Sequence, residues 1–146
     1  MTGSILLVED NEDDANLMMA AFDRLGLGEG LQLVKDGEEA LEYFQGSGQY
    51  ARRDIFPLPS LVLLDLRLPN MSGLDVLAWI RNQSTLRTVI IVVLTGLQLD
   101  SEVQRAYLLG ANSVLFKEAS QEELDAKVKL LKDYWIGANR LGESKS

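Results

Sequence analysis

Cysteine and histidine are both absent from this 146-residue chain. The first absence removes disulfides, thiolate nucleophiles and sulfur-ligated metals. The second removes zinc–histidine sites, Ser-His-Asp triads and any phosphohistidine carried by the chain itself. Positive charge is in deficit: 14 Lys and Arg stand against 22 Asp and Glu, a net charge of -8 at pH 7. Arg52-Arg53 is the only adjacent basic pair, so nothing offsets the repulsion of nucleic acid and anionic membrane. Long hydrophobic runs are missing too. None approaches the ~20 apolar residues of a membrane span. The apolar run behind Met1-Thr2-Gly3-Ser4 is too short for the core of a signal peptide. The expectation is a cytoplasmic protein that binds neither nucleic acid nor membrane. Its length suits one domain over residues 1–146, with a core over 4–136 and a flexible tail over 137–146.

What is present is an alternation of apolar runs with helical patterns, which argues α/β with a parallel sheet. The expected strands are Ile5 to Val8, Leu31 to Val34, Leu61 to Leu64, Val89 to Leu94 and Ser113 to Phe116. A helix after the first strand places Leu17, Met18, Ala21, Phe22 and Leu25 on one face. Asp36 is a candidate cap for a helix carrying Ala40, Leu41 and Phe44. Further helices carry Leu74, Leu77, Ala78 and Ile80, then Ser101 to Leu109, stopped by Gly110. Ser120 with Glu123 three residues on reads as a capping box for a last helix bearing Leu124, Val128, Leu131 and Trp135. Ser47 to Ser60 is a long connection, either functional or ordered by Tyr50, Ile55 and Phe56. Five βα units follow, doubly wound with helices on both faces of the sheet.

Four of the apolar runs end in polar residues: Glu9-Asp10, Asp65, Thr95-Gly96 and Lys117. Parallel strands bring these to one edge, where ligands of such sheets bind. Taken singly, each has a plain explanation as a helix cap, a turn or a surface lysine. Together they fit a divalent metal and phosphoryl chemistry. Mg2+ takes hard oxygen ligands. Asp10 and Asp65 can bind it, and Glu9 can bind it or one of its waters. Without a counter-cation three clustered carboxylates repel. Phosphoryl transfer needs charge neutralisation and in-line positioning. Asp65 is then the nucleophile, with Lys117 and the Thr95 hydroxyl on the phosphoryl oxygens.

The set Glu9-Asp10, Asp65-x-x-x-Pro69-x-x-x-Gly73, Thr95, Gly110-Ala111 and Lys117 resembles the receiver domain of two-component response regulators, over residues 4–136. The resemblance implies a flavodoxin-like fold with strand order 2-1-3-4-5. It implies a phosphoryl group accepted on Asp65 from a sensor histidine kinase, and Mg2+ held also by the backbone carbonyl of Arg67. No effector module follows the receiver pattern, so the implied output is contact with a downstream protein or a phosphotransfer partner. Gly48-Gln49-Tyr50-Ala51-Arg52-Arg53-Asp54, Phe56-Pro57-Leu58-Pro59 and Tyr134-Trp135 further resemble the small regulators paired with bacterial phytochromes.

Two positions depart from the family pattern. Glu118 stands where proline usually follows the lysine, and Val114 where a switch aromatic is usual. Tyr107 is a candidate substitute for that aromatic. Leu97, two residues past Thr95, is expected to slow hydrolysis of the phosphate. Leu130, Tyr134 and Ile136 are expected to form an apolar strip that pairs two copies through the last helix. The departures keep an alternative open, a degenerate receiver acting as a constitutive interaction module. A metal-dependent phosphohydrolase is disfavoured because Arg67 stands where a second Asp is expected. A flavin protein is disfavoured by the lack of a Gly- and Ser/Thr-rich first loop.

Overall fold

A computed structural model describes residues 4–96, 100–117 and 120–138. Five strands form one sheet: β1 (Ile5–Val8), β2 (Leu31–Val34), β3 (Leu61–Asp65), β4 (Ile90–Thr95) and β5 (Ser113–Phe116). All pair in parallel, in the order β2-β1-β3-β4-β5. Helices α1 (Glu12–Arg24), α2 (Gly37–Gln45), α3 (Gly73–Arg81), α4 (Asp100–Leu108) and α5 (Gln121–Leu131) connect and follow them. This is the expected flavodoxin-like arrangement.

The three central strands are buried along their whole length, as parallel strands covered on both faces must be. Strand periodicity then sorts their side chains into two cores. Leu6, Val8, Val62, Leu64, Ile91 and Val93 face α2 and α3. Ile5, Leu7, Leu61, Leu63, Ile90, Val92 and Leu94 face α1 and α5. On α1 the buried residues are Ala15, Met18, Ala21 and Phe22, while Leu17 and Leu25 are only partly covered.

Local signals set the helix starts. The Asn11, Asp36 and Ser120 side chains accept from the N–H groups of Asp14, Glu39 and Glu123. Ser72 and Asp75 form a reciprocal capping box. At Ser120 the expected box is made differently, because the Glu123 carboxylate accepts the Ser120 hydroxyl at 3.0 Å. Gly110, at φ +109°, closes α4 in a conformation open to glycine, with the Arg81 side chain packed against it.

The connection from Ser47 to Ser60 is ordered. Arg53 donates to the carbonyls of Tyr43 and Phe44, both at 2.8 Å, and of Phe56 at 3.1 Å, tying the loop to the end of α2. The Tyr50 hydroxyl donates to Glu39 at 2.6 Å, and the Tyr43 hydroxyl to the Pro57 carbonyl at 2.8 Å. Tyr50 and Phe56 pack on Tyr43 as expected, whereas Ile55 is 48% exposed. Past α5 the chain stays helical, wound as a π-helix over Lys132–Ala138. Trp135 and Ile136 pack against the α1/α5 core, so Ile136 leaves the expected apolar strip. Leu130 and Tyr134 remain exposed, at 68% and 55%. Among the described residues no helix is long and apolar enough to cross a membrane.

One close approach positions the edge where the polar residues gather. Gly73, the first residue of α3, lies against the end of β3: a Cβ there would collide with the Asp65 carbonyl and lie 2.7 Å from the Leu66 Cα. Both obstacles are backbone and cannot swing aside. Gly73→Ala is therefore expected to cost about 1–3 kcal/mol, the usual penalty of overpacking. Urea unfolding checks this, with Gly96→Ala as the control, since a Cβ at Gly96 meets nothing within 4 Å.

Candidate phosphoacceptor and metal site

Sheet register builds the site. Val8 pairs with Leu64, which sets Glu9 level with Asp65. Asp65 pairs with Leu94, and Thr95 follows. Thr95 pairs with Phe116, and Lys117 follows. Asp65 and Thr95 are the last residues of their strands rather than the first beyond them, because the ladder continues for one more pair than the apolar runs do. Glu9, Asp65 and Thr95 are each about 2% exposed, while Asp10 lies at the surface.

Lys117 draws the carboxylates together. Its Nζ lies 2.7 Å from Glu9 Oε1, 2.9 Å from Asp14 Oδ2 and 3.0 Å from Asp65 Oδ2. Its backbone N–H donates to the Thr95 carbonyl at 2.8 Å, which fixes the start of the Lys117 side chain against β4. The other Asp65 oxygen, Oδ1, accepts the Arg67 backbone N–H at 3.0 Å. Glu9 Oε2 accepts the Asn11 N–H at 3.2 Å. The Arg67 guanidinium reaches away to α4, where it pairs with Glu102 at 3.1 Å.

Sequence reasoning missed Asp14 as a partner of Lys117. The signal was present: Asp14 stands in the acidic first turn of α1, shortly after the Glu9-Asp10 pair. An acid there is also expected simply to complement the helix dipole, which hid its second role.

The cluster is short of positive charge. Glu9, Asp14 and Asp65 surround a single ammonium, and Asp10 lies beside Glu9 and Asp65. Burial, with Asp65 beside it, pushes the Glu9 carboxyl up to about 8, and the bond to Lys117 only partly opposes this. Burial by itself would lower the Lys117 ammonium, but its hydrogen bonds to Glu9, Asp14 and Asp65 outweigh burial and raise it. Both shifts follow from the same crowding: Glu9 is held towards its protonated form and the Lys117 ammonium is held charged. Glu9, Asp10 and Asp65 each offer a carboxylate oxygen, and these lie within 4.8 Å of one another. Hard oxygen donors in that grouping suit a divalent cation of the magnesium or manganese kind.

Val114 lies in the middle of β5, and its backbone N–H donates to the Tyr107 hydroxyl at 3.1 Å. Tyr107, from α4, thus covers an N–H of the edge strand while its ring stays half exposed. Glu118 and Leu97 lie outside the described residues.

With this geometry in hand, comparison with known proteins gives a consistent result. The response regulator receiver domain model matches residues 5–129. The probable methanogenesis regulatory protein FilR2 of Methanothrix harundinacea is 43% identical over 139 residues, covering 93% of this chain and 85% of FilR2. Response regulator Rcp1 of Synechocystis sp. is 33% identical, covering 90% of this chain and 88% of its own. The crystal structure of its Mn(2+)-bound form superposes with a TM-score of 0.85 at 32% identity, covering 95% and 98% of the two chains. The phosphorylated cyanobacterial phytochrome response regulator RcpA superposes with a TM-score of 0.90 at 32% identity, covering 98% of this chain and all of the other. The family model spans most of the chain and the five-stranded frame is shared with these solved structures, so the chain belongs to the response regulator receiver domains.

Proposed function

We propose that this protein is a phosphorylation-controlled signalling switch that accepts a phosphoryl group on Asp65 from a sensor histidine kinase in a Mg2+-dependent reaction. The observation that carries the reading is the state of the Asp65 carboxylate: buried, with Lys117 Nζ at one oxygen and the Arg67 N–H at the other. A nucleophile so held is oriented before the donor arrives, which is most of what phosphoryl transfer asks of a protein.

The donor histidine comes from the kinase, since this chain has none. An Asp65 oxygen attacks phosphorus in line with the leaving imidazole nitrogen. The new P–O bond forms as the P–N bond breaks, and the bonding pair returns to the imidazole ring. Lys117 and the Thr95 hydroxyl take phosphoryl oxygens. Glu9, Asp10, Asp65 and the Arg67 carbonyl would hold Mg2+, which neutralises charge on the phosphoryl oxygens when bound. Water attack on the acyl phosphate later returns the carboxylate and releases phosphate, so the protein assists its own slow resetting without being an enzyme in the ordinary sense. The Mn(2+)-bound form of Rcp1 and the phosphorylated form of RcpA support the metal and the acceptor chemistry. Their likeness also supports a phytochrome-type kinase. FilR2, at higher identity, carries a different regulatory description, so the same frame serves more than one kind of signal. The output is contact with a downstream protein or a phosphotransfer partner in the cytoplasm.

Leu130 and Tyr134 support a homodimer through the end of α5. They lie four residues apart on one helical face and remain exposed at 68% and 55%. Pairing two copies along that face would cover both.

Intact mass after incubation with Mg2+ and acetyl phosphate tests the acceptor. The wild type is expected to gain one phosphoryl group and Asp65→Asn none. A wild type that stays unmodified and binds no Mg2+ would favour the constitutive interaction module instead. For the dimer, sedimentation of Tyr134→Asp is expected to show a weaker self-association than the wild type. An unchanged profile removes this face from the account.

A further inference from the structure

We infer that Arg67 is a mechanical link between the phosphoacceptor and α4: its guanidinium leaves Glu102 for the phosphoryl oxygens when Asp65 is loaded, and the first turns of α4 are freed. The inference rests on the phosphoacceptor reading above and names how that site is read out.

Three observations carry it. First, Arg67 touches both places at once. Its backbone N–H is on Asp65 Oδ1 at 3.0 Å, and its guanidinium is on Glu102 Oε1 at 3.1 Å. Glu102 lies in the first turn of α4. Second, α4 is weakly held by packing. Ala106 is its single buried residue, and Tyr107 and Leu108 are 50% and 84% exposed. A helix with so little apolar anchorage depends on polar tethers for its position. Among the described residues two are present: Arg67 to Glu102 near its start, and the Tyr107 hydroxyl to the Val114 N–H near its end. Third, β5 meets α4 through the Val114 backbone N–H on the Tyr107 hydroxyl, near the end of the helix away from Glu102, so the two ends of α4 are tied separately.

The driving force is local electrostatics. Transfer replaces a carboxylate of one charge with an acyl phosphate carrying about two, with three strong acceptor oxygens. A guanidinium already anchored beside Asp65 by its own backbone gains a dianionic, fork-shaped partner. Glu102 offers a single carboxylate in a pair whose arginine is 57% exposed, which is a weak competitor. Partner exchange at Arg67 therefore follows loading, and α4, with exposed Tyr107 and Leu108 on it, becomes able to shift against a downstream protein.

Hydrogen exchange read by mass spectrometry tests this on the full chain, with Glu102→Gln beside the wild type. The substitution keeps size and hydrogen bonding but removes the charge. In the resting proteins the Gln104–Leu108 amides of Glu102→Gln are expected to exchange about two- to fivefold faster than in the wild type, the worth of one half-exposed ion pair. Loading with Mg2+ and acetyl phosphate is expected to speed the same amides in the wild type and to add little in Glu102→Gln. Intact mass of the same samples reports loading separately. An adduct with unchanged α4 exchange in the wild type, or an equal response in Glu102→Gln, overturns the link alone. No adduct overturns the phosphoacceptor reading and the link with it.

Discussion

The Lys117 ammonium is the contact on which the functional edge of this protein depends. With its residue's own backbone bond to Thr95, it joins α1, β1, β3 and β4 through Asp14, Glu9, Asp65 and Thr95. One cation cannot balance the acids around it. The buried Glu9 carboxyl responds by holding a proton far above its ordinary range. A site in this condition is arranged for charge that arrives from outside; on the proposed function that charge is a divalent cation and then a phosphoryl group.

The rest of the fold serves to keep that edge rigid. Three fully buried central strands set Glu9, Asp65 and Thr95 in fixed register, and Gly73 lets α3 start hard against the Asp65 carbonyl. The long connection before β3 is locked to α2 by Arg53 and by the Tyr43, Tyr50 and Phe56 rings. By contrast α4 is lightly packed. The molecule thus pairs a stiff receiving edge with one loosely held helix, the division of labour that a two-state switch requires.

Much of this was legible in the chain itself. Parallel strands buried on both faces read as continuous apolar runs, so the three central strands and the polar residues at their ends could be located directly, while the half-buried edge strands β2 and β5 showed as shorter apolar stretches. Strand ends were less legible: Asp65 and Thr95 belong to their ladders because backbone pairing continues past the last apolar side chain. Asp14 was obscured because its helix-start position already had a sufficient explanation. The Arg53 bonds to three carbonyls and the Arg67–Glu102 pair join segments distant in sequence, and a side-chain pattern carries no sign of them. Ile136 was misjudged for a related reason, since the π-helical winding past α5 turns it into the core, a rotation that a regular 3.6-residue period does not anticipate.

Everything proposed for this edge requires that the acidic cluster hold a divalent cation. Thermal unfolding with and without Mg2+, at matched ionic strength, tests it most directly, with Asp10→Asn as the comparison because Asp10 is exposed and its loss leaves the core intact. At about tenfold over its dissociation constant a specifically bound ion contributes about 1.4 kcal/mol. The wild type is therefore expected to gain about 3–6 °C and Asp10→Asn much less. No Mg2+-dependent rise in the wild type, or an equal rise in both proteins, would contradict the claim.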